Sequence, residues 1–397
     1  MSADLSTLFL RHVCQTSDAP MGIVVARAAG STVWDADGRA YLDLLAGMGV
    51  ANVGHAHPDV LAAIREQAER HLHVMVYGEL VQGAQVRLAA RLAELLPAPL
   101  SVAYFTSSGA EAIDGALKTA RKHTGRTRFV AFEGGFHGDT WGALSVGGNP
   151  VYRRPFEPLL PDVAFLPFDD EAALDLVDER VAAVVVEPVQ AEGGVRIPRP
   201  GYLAKLRRRC DETGALLVLD EVVTAFGRTG RLFAHQHWSV VPDILVLAKA
   251  LGGGLPLGAF VGAPDVMATL SHDPPLAHVT TFGGHPLSCA AGLAALDVLL
   301  RDDLPGRAAR LGASLVQRMG ALTGRGGLAE VRGLGMLLGL EFDTPEHCAA
   351  FARRAFEARL ILNWTLHRDT VVRLAPPLVL TDDEAERAVA TIAGALA

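Results

Sequence analysis

The sequence predicts an α/β fold with a mostly parallel central sheet in a large domain and a smaller α/β domain at the C-terminus. Two observations lead to this fold class. Apolar runs that suit buried strands alternate with helical patterns from about residue 51 to residue 264, which is typical of a parallel sheet with helices on both faces. Three of these apolar runs also end in a charged residue, and in open α/β sheets ligands bind beyond the carboxyl ends of the strands.

Three segments are expected along the chain. Residues 1–50 form an N-terminal segment that packs on the small domain, residues 51–285 form the large domain, and residues 286–397 form the small domain. The boundary is placed at Pro286, because proline suits the first turn of a helix and an apolar helical pattern follows it.

The elements follow from local patterns. In the large domain, a helix is expected over residues 58–71, and strands are expected over residues 102–105, 181–186, 215–219 and 244–248. The small domain should contain strands over residues 336–342 and 370–374, and the N-terminal segment a strand over residues 32–34 followed by a turn over residues 35–38.

Lys249 is the first candidate functional residue. It stands at the end of the apolar run 244–248 and is followed by a glycine-rich turn. A lysine at the end of a buried strand is costly to desolvate unless it has a role there. A desolvated amine with a lowered pKa can form a Schiff base with an aldehyde, whereas an ordinary lysine would extend to solvent. The residue alone does not decide between these two interpretations.

Carboxylates end two other apolar runs. The run 215–219 is followed by Asp220 and Glu221, and the run 181–186 is followed by Glu187. Asp220 precedes Lys249 by about one strand–crossover–strand unit, which places the two at the same edge of one sheet. Such a pair suits pyridoxal phosphate, because the lysine can bind the aldehyde of this cofactor and the acid can pair with its pyridinium nitrogen.

A candidate anion site follows the strand at residues 102–105. Small and hydroxyl residues at Ser107, Ser108, Gly109 and Ala110 lead into a helical pattern. Backbone N–H groups and the positive end of the helix dipole can bind a phosphate there. A plain N-cap serine would look the same, so the motif gains weight only together with Lys249 and Asp220.

Composition excludes several classes of protein. The chain has 397 residues and a formal net charge of −8, which gives no reason to expect nucleic-acid binding. Its four cysteines lack metal-site or redox-motif spacing and are expected to be reduced thiols of a cytoplasmic protein. We expect no signal peptide and no membrane helix, since the long uncharged stretch 274–296 contains prolines and paired glycines.

A metal site and a nicotinamide site are both disfavoured. Two histidine pairs, at 55 and 57 and at 235 and 237, are spaced i, i+2, which does not place two ligands on one helix face. The glycines at 333 and 335 form only a fragment of the dinucleotide-binding fingerprint.

Taken together, ten segments resemble those of class III pyridoxal-phosphate-dependent aminotransferases, the family of the acetylornithine, ornithine and 4-aminobutyrate enzymes. The segments span most of the chain and occur in the family's order. They are VWDADG (33–38), GHAHP (54–58), SGAEA (108–112), GFHG (135–138), EPVQ (187–190), DE (220–221), GRTG (227–230), KALGGG (249–254), TFGG (281–284) and RLAPP (373–377).

The resemblance implies fold type I of the pyridoxal-phosphate enzymes and a role for each matching residue. Lys249 would carry the cofactor and move a proton during catalysis, and Asp220 would pair with the ring nitrogen. Phe136 would stack on the ring, and Arg373 would bind a substrate carboxylate, with Glu192 as its alternative partner. The remaining cofactor-binding positions are Ser108, Gly109, Ala110, His137, Glu187, Val223 and Thr281. Thr281 would reach the phosphate of the neighbouring subunit, which implies a homodimer with shared active sites.

Three positions depart from the ornithine branches of the family. Val223 stands where those branches carry a glutamine, Asp139 where they carry an arginine for the substrate α-carboxylate, and Met48 where ornithine aminotransferase usually carries a tyrosine. Asp139 would repel an α-carboxylate, favour a cationic amine or face away. Arg153 or Arg154 could replace the missing contact.

The sequence therefore predicts transfer of a terminal (ω) amino group from an amine or amino-acid donor to 2-oxoglutarate or pyruvate by a ping-pong mechanism. Two alternatives stay open: an amino-acid racemase or epimerase on the same scaffold, and acetylornithine aminotransferase of arginine biosynthesis. The racemase would need Lys249 and Asp220 just as a transaminase does, whereas Arg373 with Glu192 favours transamination over racemisation.

Overall fold

The computed structural model describes residues 2–77 and 80–397. Its strands are β1 (Val25–Ala29), β2 (Thr32–Asp35), β3 (Ala40–Asp43), β4 (Val102–Thr106), β5 (Arg128–Phe132), β6 (Val163–Leu166), β7 (Val181–Val186), β8 (Leu216–Asp220), β9 (Ile244–Leu247), β10 (Gly258–Gly262), β11 (Leu328–Leu334), β12 (Leu337–Phe342), β13 (Leu360–Ile361), β14 (Asn363–Thr365) and β15 (Arg368–Leu374). Its helices are α1 (Ser2–His12), α2 (Ala46–Gly49), α3 (Pro58–Arg70), α4 (Gly83–Leu95), α5 (Gly109–Thr124), α6 (Trp141–Ser145), α7 (Pro150–Arg153), α8 (Tyr202–Thr213), α9 (Pro264–Ala268), α10 (Pro286–Arg301), α11 (Leu304–Gly320), α12 (Pro345–Glu357) and α13 (Asp382–Ala395).

Seven strands form the central sheet, in the order β4-β10-β9-β8-β7-β5-β6. The strands from β9 to β6 pair in parallel, whereas β10 is antiparallel to both of its neighbours. The exception has a simple cause. Only ten residues, 248–257, separate β9 from β10, too few for the helical crossover that a parallel partner needs. The predicted mostly parallel sheet is confirmed.

Both faces of this sheet are buried. All six residues of β7 are buried, as expected for a strand covered on both sides. On one face, α5 lies close to β10 because Gly115 has no side chain: a Cβ there would be 2.3 Å from Cε1 of Phe260. This close contact helps to fix the N-terminus of α5 beside the carboxyl ends of the parallel strands.

Two smaller sheets complete the fold. One is antiparallel, in the order β11-β12-β15-β14, and the other has the order β1-β2-β3-β13. In the second sheet β13 pairs in parallel with β3, which joins the N-terminal segment to the C-terminal part of the chain. The strand expected over residues 336–342 begins at Leu337, and its antiparallel partner β11 was not predicted.

Other features of the described residues bear on the class of protein. No helix among these residues is both long enough and apolar enough to cross a membrane. The same residues bring together no group of three or more histidine, cysteine or acidic side chains that could hold a metal ion. The four cysteines are free thiols; Cys14 is exposed and the other three are buried.

Candidate active site

The carboxyl ends of the parallel strands surround a cavity of about 390 Å³. Its lining comes from the segments that follow β4, β5, β7, β8 and β9, together with the turn 254–257. This is the place where open α/β sheets bind ligands, and the volume falls within the range of small-molecule sites. The topology of the sheet therefore brings the charged strand ends of the sequence to one cavity.

Lys249 lines the cavity just after β9. Its φ of 50° lies in the left-handed region, which costs a non-glycine residue on the order of 1 kcal/mol and is common at functional sites. Burial lowers the pKa of Lys249 and Arg373 lowers it further, while Asp220, Glu192 and Glu187 act in the opposite direction. The amine is therefore more easily uncharged, and more nucleophilic, than an ordinary lysine.

Asp220, the last residue of β8, is held on both of its oxygens. Val222 N–H donates to Oδ1 at 2.9 Å, and Nδ1 of His137 lies 2.7 Å from Oδ2. Burial alone would lower the pKa of His137, but the hydrogen bond to Asp220 and its charge outweigh burial and raise the pKa. The imidazolium that this favours holds the Asp220 carboxylate, and both residues line the cavity.

Glu187 orients the turn that carries Phe136 and His137. Its two carboxylate oxygens accept from the backbone N–H groups of Phe136, at 2.9 Å, and Ala191, at 3.0 Å. Burial raises the pKa of Glu187 to about 7. This carboxylate thus ties the loop after β5 to the loop after β7 and places Phe136 on the cavity wall.

The N-terminus of α5 forms the end of the cavity. Ser108 caps the helix by accepting from Glu111 N–H at 3.2 Å, while Glu111 accepts from Ser107 N–H at 2.7 Å. The first N–H groups of the helix have no partner within it and can bind an anion. Gly109 is needed for packing, since a Cβ there would lie 3.0 Å from Val222 and 3.3 Å from Ala248. Ser108 is therefore a helix cap at a site that also suits a phosphate.

Arg373, on β15, forms a buried ion pair with Glu192, from the loop after β7. The second oxygen of Glu192 accepts from Leu366 N–H at 2.9 Å, and Nη2 of Arg373 lies 3.5 Å from the sulfur of Met48. Burial would raise the pKa of Glu192, but the charge of Arg373 and the hydrogen bonds from Leu366 and Arg373 together outweigh burial and lower the pKa. Glu192 lines the cavity, so the pair borders the space in which a substrate would bind.

The structure brings most of the predicted site residues to this cavity. Those that line it are Ser108, Gly109, Ala110, Phe136, His137, Glu187, Glu192, Asp220, Val223 and Lys249. Arg373 adjoins it through Glu192, whereas Thr281 is exposed and is not among the residues of its own chain that line the cavity. The role of Thr281 at a neighbouring subunit stays a prediction.

Sequence reasoning missed other parts of the cavity wall. Val50 and the turn 254–257 line it, and neither carries a side chain that performs chemistry. The glycine run after Lys249 was the available signal for the turn. Val50 reaches the cavity only through the folding of the N-terminal segment, which no local pattern reveals.

The fold and the site define a class of enzyme, and comparison with known proteins gives the same class. The family model of class-III aminotransferases matches residues 13–396, and the chain belongs to this family. It is 44% identical over 388 residues to acetylornithine aminotransferase of Methanopyrus kandleri, covering 97% of this chain and 96% of that protein. It is 43% identical over 387 residues to putrescine aminotransferase of Pectobacterium atrosepticum, covering 94% and 82%.

Solved structures agree with this assignment. Ornithine aminotransferase from Toxoplasma gondii matches with a TM-score of 0.92 and 34% identity, over 100% of this chain and 95% of that one. An (S)-enantioselective omega-transaminase from Thermomicrobium roseum matches with a TM-score of 0.92 and 32% identity, over 99% and 98%. The protein is an aminotransferase that takes an amino group from a donor and passes it to a 2-oxo acid.

Aminotransferases of class III depend on pyridoxal phosphate, and the cavity fits this cofactor. The helix start at Gly109 suits a phosphate, the side chain of Lys249 suits an aldehyde, and Asp220 suits a protonated ring nitrogen. Among the described residues Lys249 has no ion pair within 4.0 Å, so its amine is free to react.

Proposed function

We propose that the protein moves a terminal (ω) amino group from an amine or amino-acid donor to 2-oxoglutarate or pyruvate in two alternating half-reactions. The observation that carries the proposal is the buried amine of Lys249, with its lowered pKa, in one cavity with the Asp220–His137 pair. An amine that both holds an aldehyde and moves protons at one carbon needs this environment.

The residues of the cavity divide the work. Pyridoxal phosphate, when bound, supplies an aldehyde and a ring that withdraws electrons from the donor carbon. Lys249 would hold the aldehyde and, once the donor amine displaces it, carry the proton from the donor carbon. Asp220 would keep the ring nitrogen protonated, with His137 fixing its position. The helix start at 108–110 would hold the phosphate, and Phe136 would stack on the ring beside Val223.

The Arg373–Glu192 pair supports the use of two different substrates in one pocket. While Arg373 is paired with Glu192, the pair presents no net charge to the uncharged end of a donor. When 2-oxoglutarate enters, Arg373 can leave Glu192 and bind the carboxylate, because a guanidinium binds either carboxylate in the same geometry. The bond from Leu366 N–H keeps Glu192 in place while it is unpaired.

A homodimer with shared active sites is part of the proposal. Exposed apolar side chains from two segments support it, at Leu72, Met75 and Val81 and at Leu276, Val279 and Phe282. The segments meet where the rings of His73 and Phe282 lie 4.9 Å apart. A second copy of the chain would bury this apolar surface, and Thr281 lies within it.

We place the enzyme in the cytoplasm, in keeping with its free cysteines.

Acetylornithine aminotransferase is the second candidate, favoured by the identity of 44% to the Methanopyrus kandleri enzyme. Against it stand Met48 and Asp139, at positions where a group for the ornithine α-carboxylate is expected. Met48 lies against Arg373, and Asp139 is exposed. The putrescine aminotransferase relative shows that chains of this similarity also act on donors without an α-carboxylate.

A single-turnover experiment tests the proposal. Cofactor-loaded enzyme is mixed with one donor, the change in cofactor absorbance is timed, and 2-oxoglutarate is then added to restore the first spectrum. We expect 4-aminobutyrate to react faster than N-acetylornithine by about ten- to a hundredfold, the worth of one charge-assisted contact of roughly 1.5–3 kcal/mol. A preference for N-acetylornithine over all simple ω-amines would return the protein to the arginine-biosynthesis branch.

A further inference from the structure

The short helix α2 (Ala46–Gly49) is left-handed. Its four residues all have positive φ angles, of 51° at Ala46, 59° at Gly47, 67° at Met48 and 80° at Gly49. Glycine adopts this conformation readily, but for Ala46 and Met48 it is sterically unfavourable. Such strain persists only where the surrounding structure imposes it, and it is common at functional sites. The left-handed turn, as we call residues 46–49, is therefore held in place by its surroundings.

Two side chains, Asp43 and His55, hold the start of the left-handed turn. Asp43 ends β3, and its Oδ1 accepts from the N–H groups of Leu45, at 2.8 Å, and Ala46, at 2.9 Å. Its Oδ2 lies 2.7 Å from Nε2 of His55. The backbone of His55 exchanges two hydrogen bonds with Gly30, at 2.9 and 3.0 Å, so the imidazole is anchored outside the turn. The pair thus fixes the first residue of the turn.

The left-handed turn contacts Arg373 and leads into the cavity wall. Met48 places its sulfur 3.5 Å from Nη2 of Arg373. Val50, directly after the turn, lines the cavity. A Cβ at Gly49 would lie 3.9 Å from Cγ1 of Val223, another residue of the cavity wall. A change in the backbone of the turn would therefore move the surface against which Arg373 rests.

The two ends of the Arg373 guanidinium have acceptors of unequal strength. Nη1 is bound to the carboxylate of Glu192, whereas Nη2 has the thioether of Met48, a weak acceptor, as a partner. A substrate carboxylate is a far stronger acceptor and can replace the sulfur at Nη2. Arg373 lies near enough to Lys249 to lower its pKa, so the carboxylate within its reach is the one beside the reacting carbonyl.

We propose that Asp43 and His55 are positioning residues for the 2-oxo acid. By holding the left-handed turn, they keep Met48 against Nη2 of Arg373, which is thereby placed to receive the carboxylate beside the carbonyl. Neither residue belongs to the described lining of the cavity, so both act through the turn. Without the pair, the turn relaxes toward a less strained backbone, and Nη2 loses its fixed place. This inference rests on the proposed function and adds two residues to its acceptor half-reaction.

The test compares two acceptors that differ only in the carboxylate beside the carbonyl, 2-oxoglutarate and succinic semialdehyde. The cofactor-free protein is loaded with pyridoxamine phosphate, so that no donor is needed, and the rate of amino transfer to each acceptor gives kcat/KM. His55→Leu should lower kcat/KM for 2-oxoglutarate about tenfold, mostly through a higher KM, as expected when one charge-assisted contact is weakened. The value for succinic semialdehyde should change little.

Three further variants separate positioning from a general loss of structure, which would slow both acceptors alike. His55→Gln keeps an N–H donor for Asp43 and should retain most of the wild-type selectivity. Asp43→Asn should shift the ratio of the two acceptors in the same direction as His55→Leu, because an amide oxygen accepts more weakly than a carboxylate. Ala46→Gly makes the positive φ favourable, so its combination with His55→Leu should regain part of the lost rate with 2-oxoglutarate.

The matched control is His57→Leu. His57 stands two residues after His55, but its Nδ1 accepts from Asp59 N–H at 3.2 Å, so it supports the start of α3 rather than the left-handed turn. This variant should leave the ratio of the two acceptors as in the wild type. A second readout avoids turnover. Calorimetry on Lys249→Ala protein should give a dissociation constant for 2-oxoglutarate about tenfold larger when His55→Leu is added.

Equal losses for the two acceptors in His55→Leu would overturn the inference, and so would an unchanged kcat/KM for 2-oxoglutarate. Either result leaves the proposed function in place, because the comparison starts from the loaded amino group and involves no donor. Failure of every ω-amine to react in the wild type would refute the proposed function itself, and the acceptor comparison would still decide the role of Asp43 and His55.

Discussion

The Nδ1 of His137 lies 2.7 Å from Oδ2 of Asp220, and both side chains are buried against the cavity that Lys249 lines. His137 follows β5 and Asp220 is the last residue of β8, with β7 between the two strands in the sheet. The hydrogen bond therefore joins the loop after β5 to the end of β8 across the carboxyl edge of the sheet. It holds the Asp220 carboxylate in one orientation. An acid that is to keep a ring nitrogen protonated needs such a fixed orientation.

The first prediction concerns Asp220. Asp220→Ala should slow the donor half-reaction by orders of magnitude, because the ring then loses its electron-withdrawing character. The rate is measured in single turnovers by cofactor absorbance, after bound cofactor has been quantified. His137→Gln, which removes the support but keeps the acid, should reduce the rate less. A loss of only a few-fold in Asp220→Ala with cofactor still bound would show that Asp220 is not the ring partner.

The second prediction concerns the titration of Lys249 in the cofactor-free protein. Since the pKa of Lys249 is lowered, its amine should react with an acylating reagent at lower pH than an ordinary lysine. Arg373→Met should move this pH profile upward, because it removes a positive charge and frees Glu192, and both changes raise the pKa. Asp220→Asn should move it downward, since Asp220 raises the pKa of Lys249.

Labelling is followed by peptide mapping, with an exposed lysine such as Lys205 as the internal reference. In the loaded wild type, borohydride reduction should fix the cofactor on Lys249, and Lys249→Ala should remain folded without turnover. Recovery of the reduced adduct on another lysine would contradict the assignment.

The chemistry of the site could be predicted because it lies at strand ends. Lys249, Asp220 and Glu187 each follow an apolar run, and parallel strands bring their carboxyl ends to one edge. The same reasoning could not find the partner of Asp220. His137 follows β5, which is not adjacent to β8, and no periodicity in the sequence specifies the order of the strands.

The loops beside the active-site cavity were harder to predict for another reason. Asp139 and Tyr152 are close in the chain, but His367, which lies near them in the structure, is more than 200 residues away from both. The hydrogen bond between Tyr152 and the carbonyl of Leu366 helps to hold these distant segments together, and no local pattern in the sequence reveals it. Asp139 could be singled out only as a departure from the related enzymes.

The third prediction concerns Thr281. If Thr281 completes the site of the neighbouring subunit, heterodimers of Lys249→Ala and Thr281→Ala subunits contain one doubly altered site and one intact site. Differently tagged chains, co-expressed and purified through both tags, should then be more active than the mean of the two altered homodimers. If Thr281 acted within its own chain, every site of the heterodimer would carry one alteration and no activity would be gained. An active monomer in the ultracentrifuge would contradict the shared site.

The last prediction concerns Arg228, a fully buried arginine that ties three segments together. Its guanidinium donates to the carbonyls of Met336, at 3.1 Å, and Pro376, at 2.5 Å, and to Oδ1 of Asn52, at 2.6 Å. Asn52 in turn donates to the carbonyl of Phe226 at 2.8 Å. Arg228→Met would leave three buried acceptors without a donor, which should lower the free energy of unfolding by about 3 kcal/mol or more.

Urea unfolding measures this loss. The matched control is Arg310→Met, which removes an exposed ion pair on α11 that is worth little. Arg228→Lys keeps the charge but cannot reach all three acceptors, so it should be intermediate in stability and remain folded enough for kinetics. Because Pro376 follows Arg373 by three residues, a shift of this segment should raise KM for 2-oxoglutarate more than it changes kcat. Equal unfolding midpoints for Arg228→Met and Arg310→Met would show that the three bonds contribute no net stability.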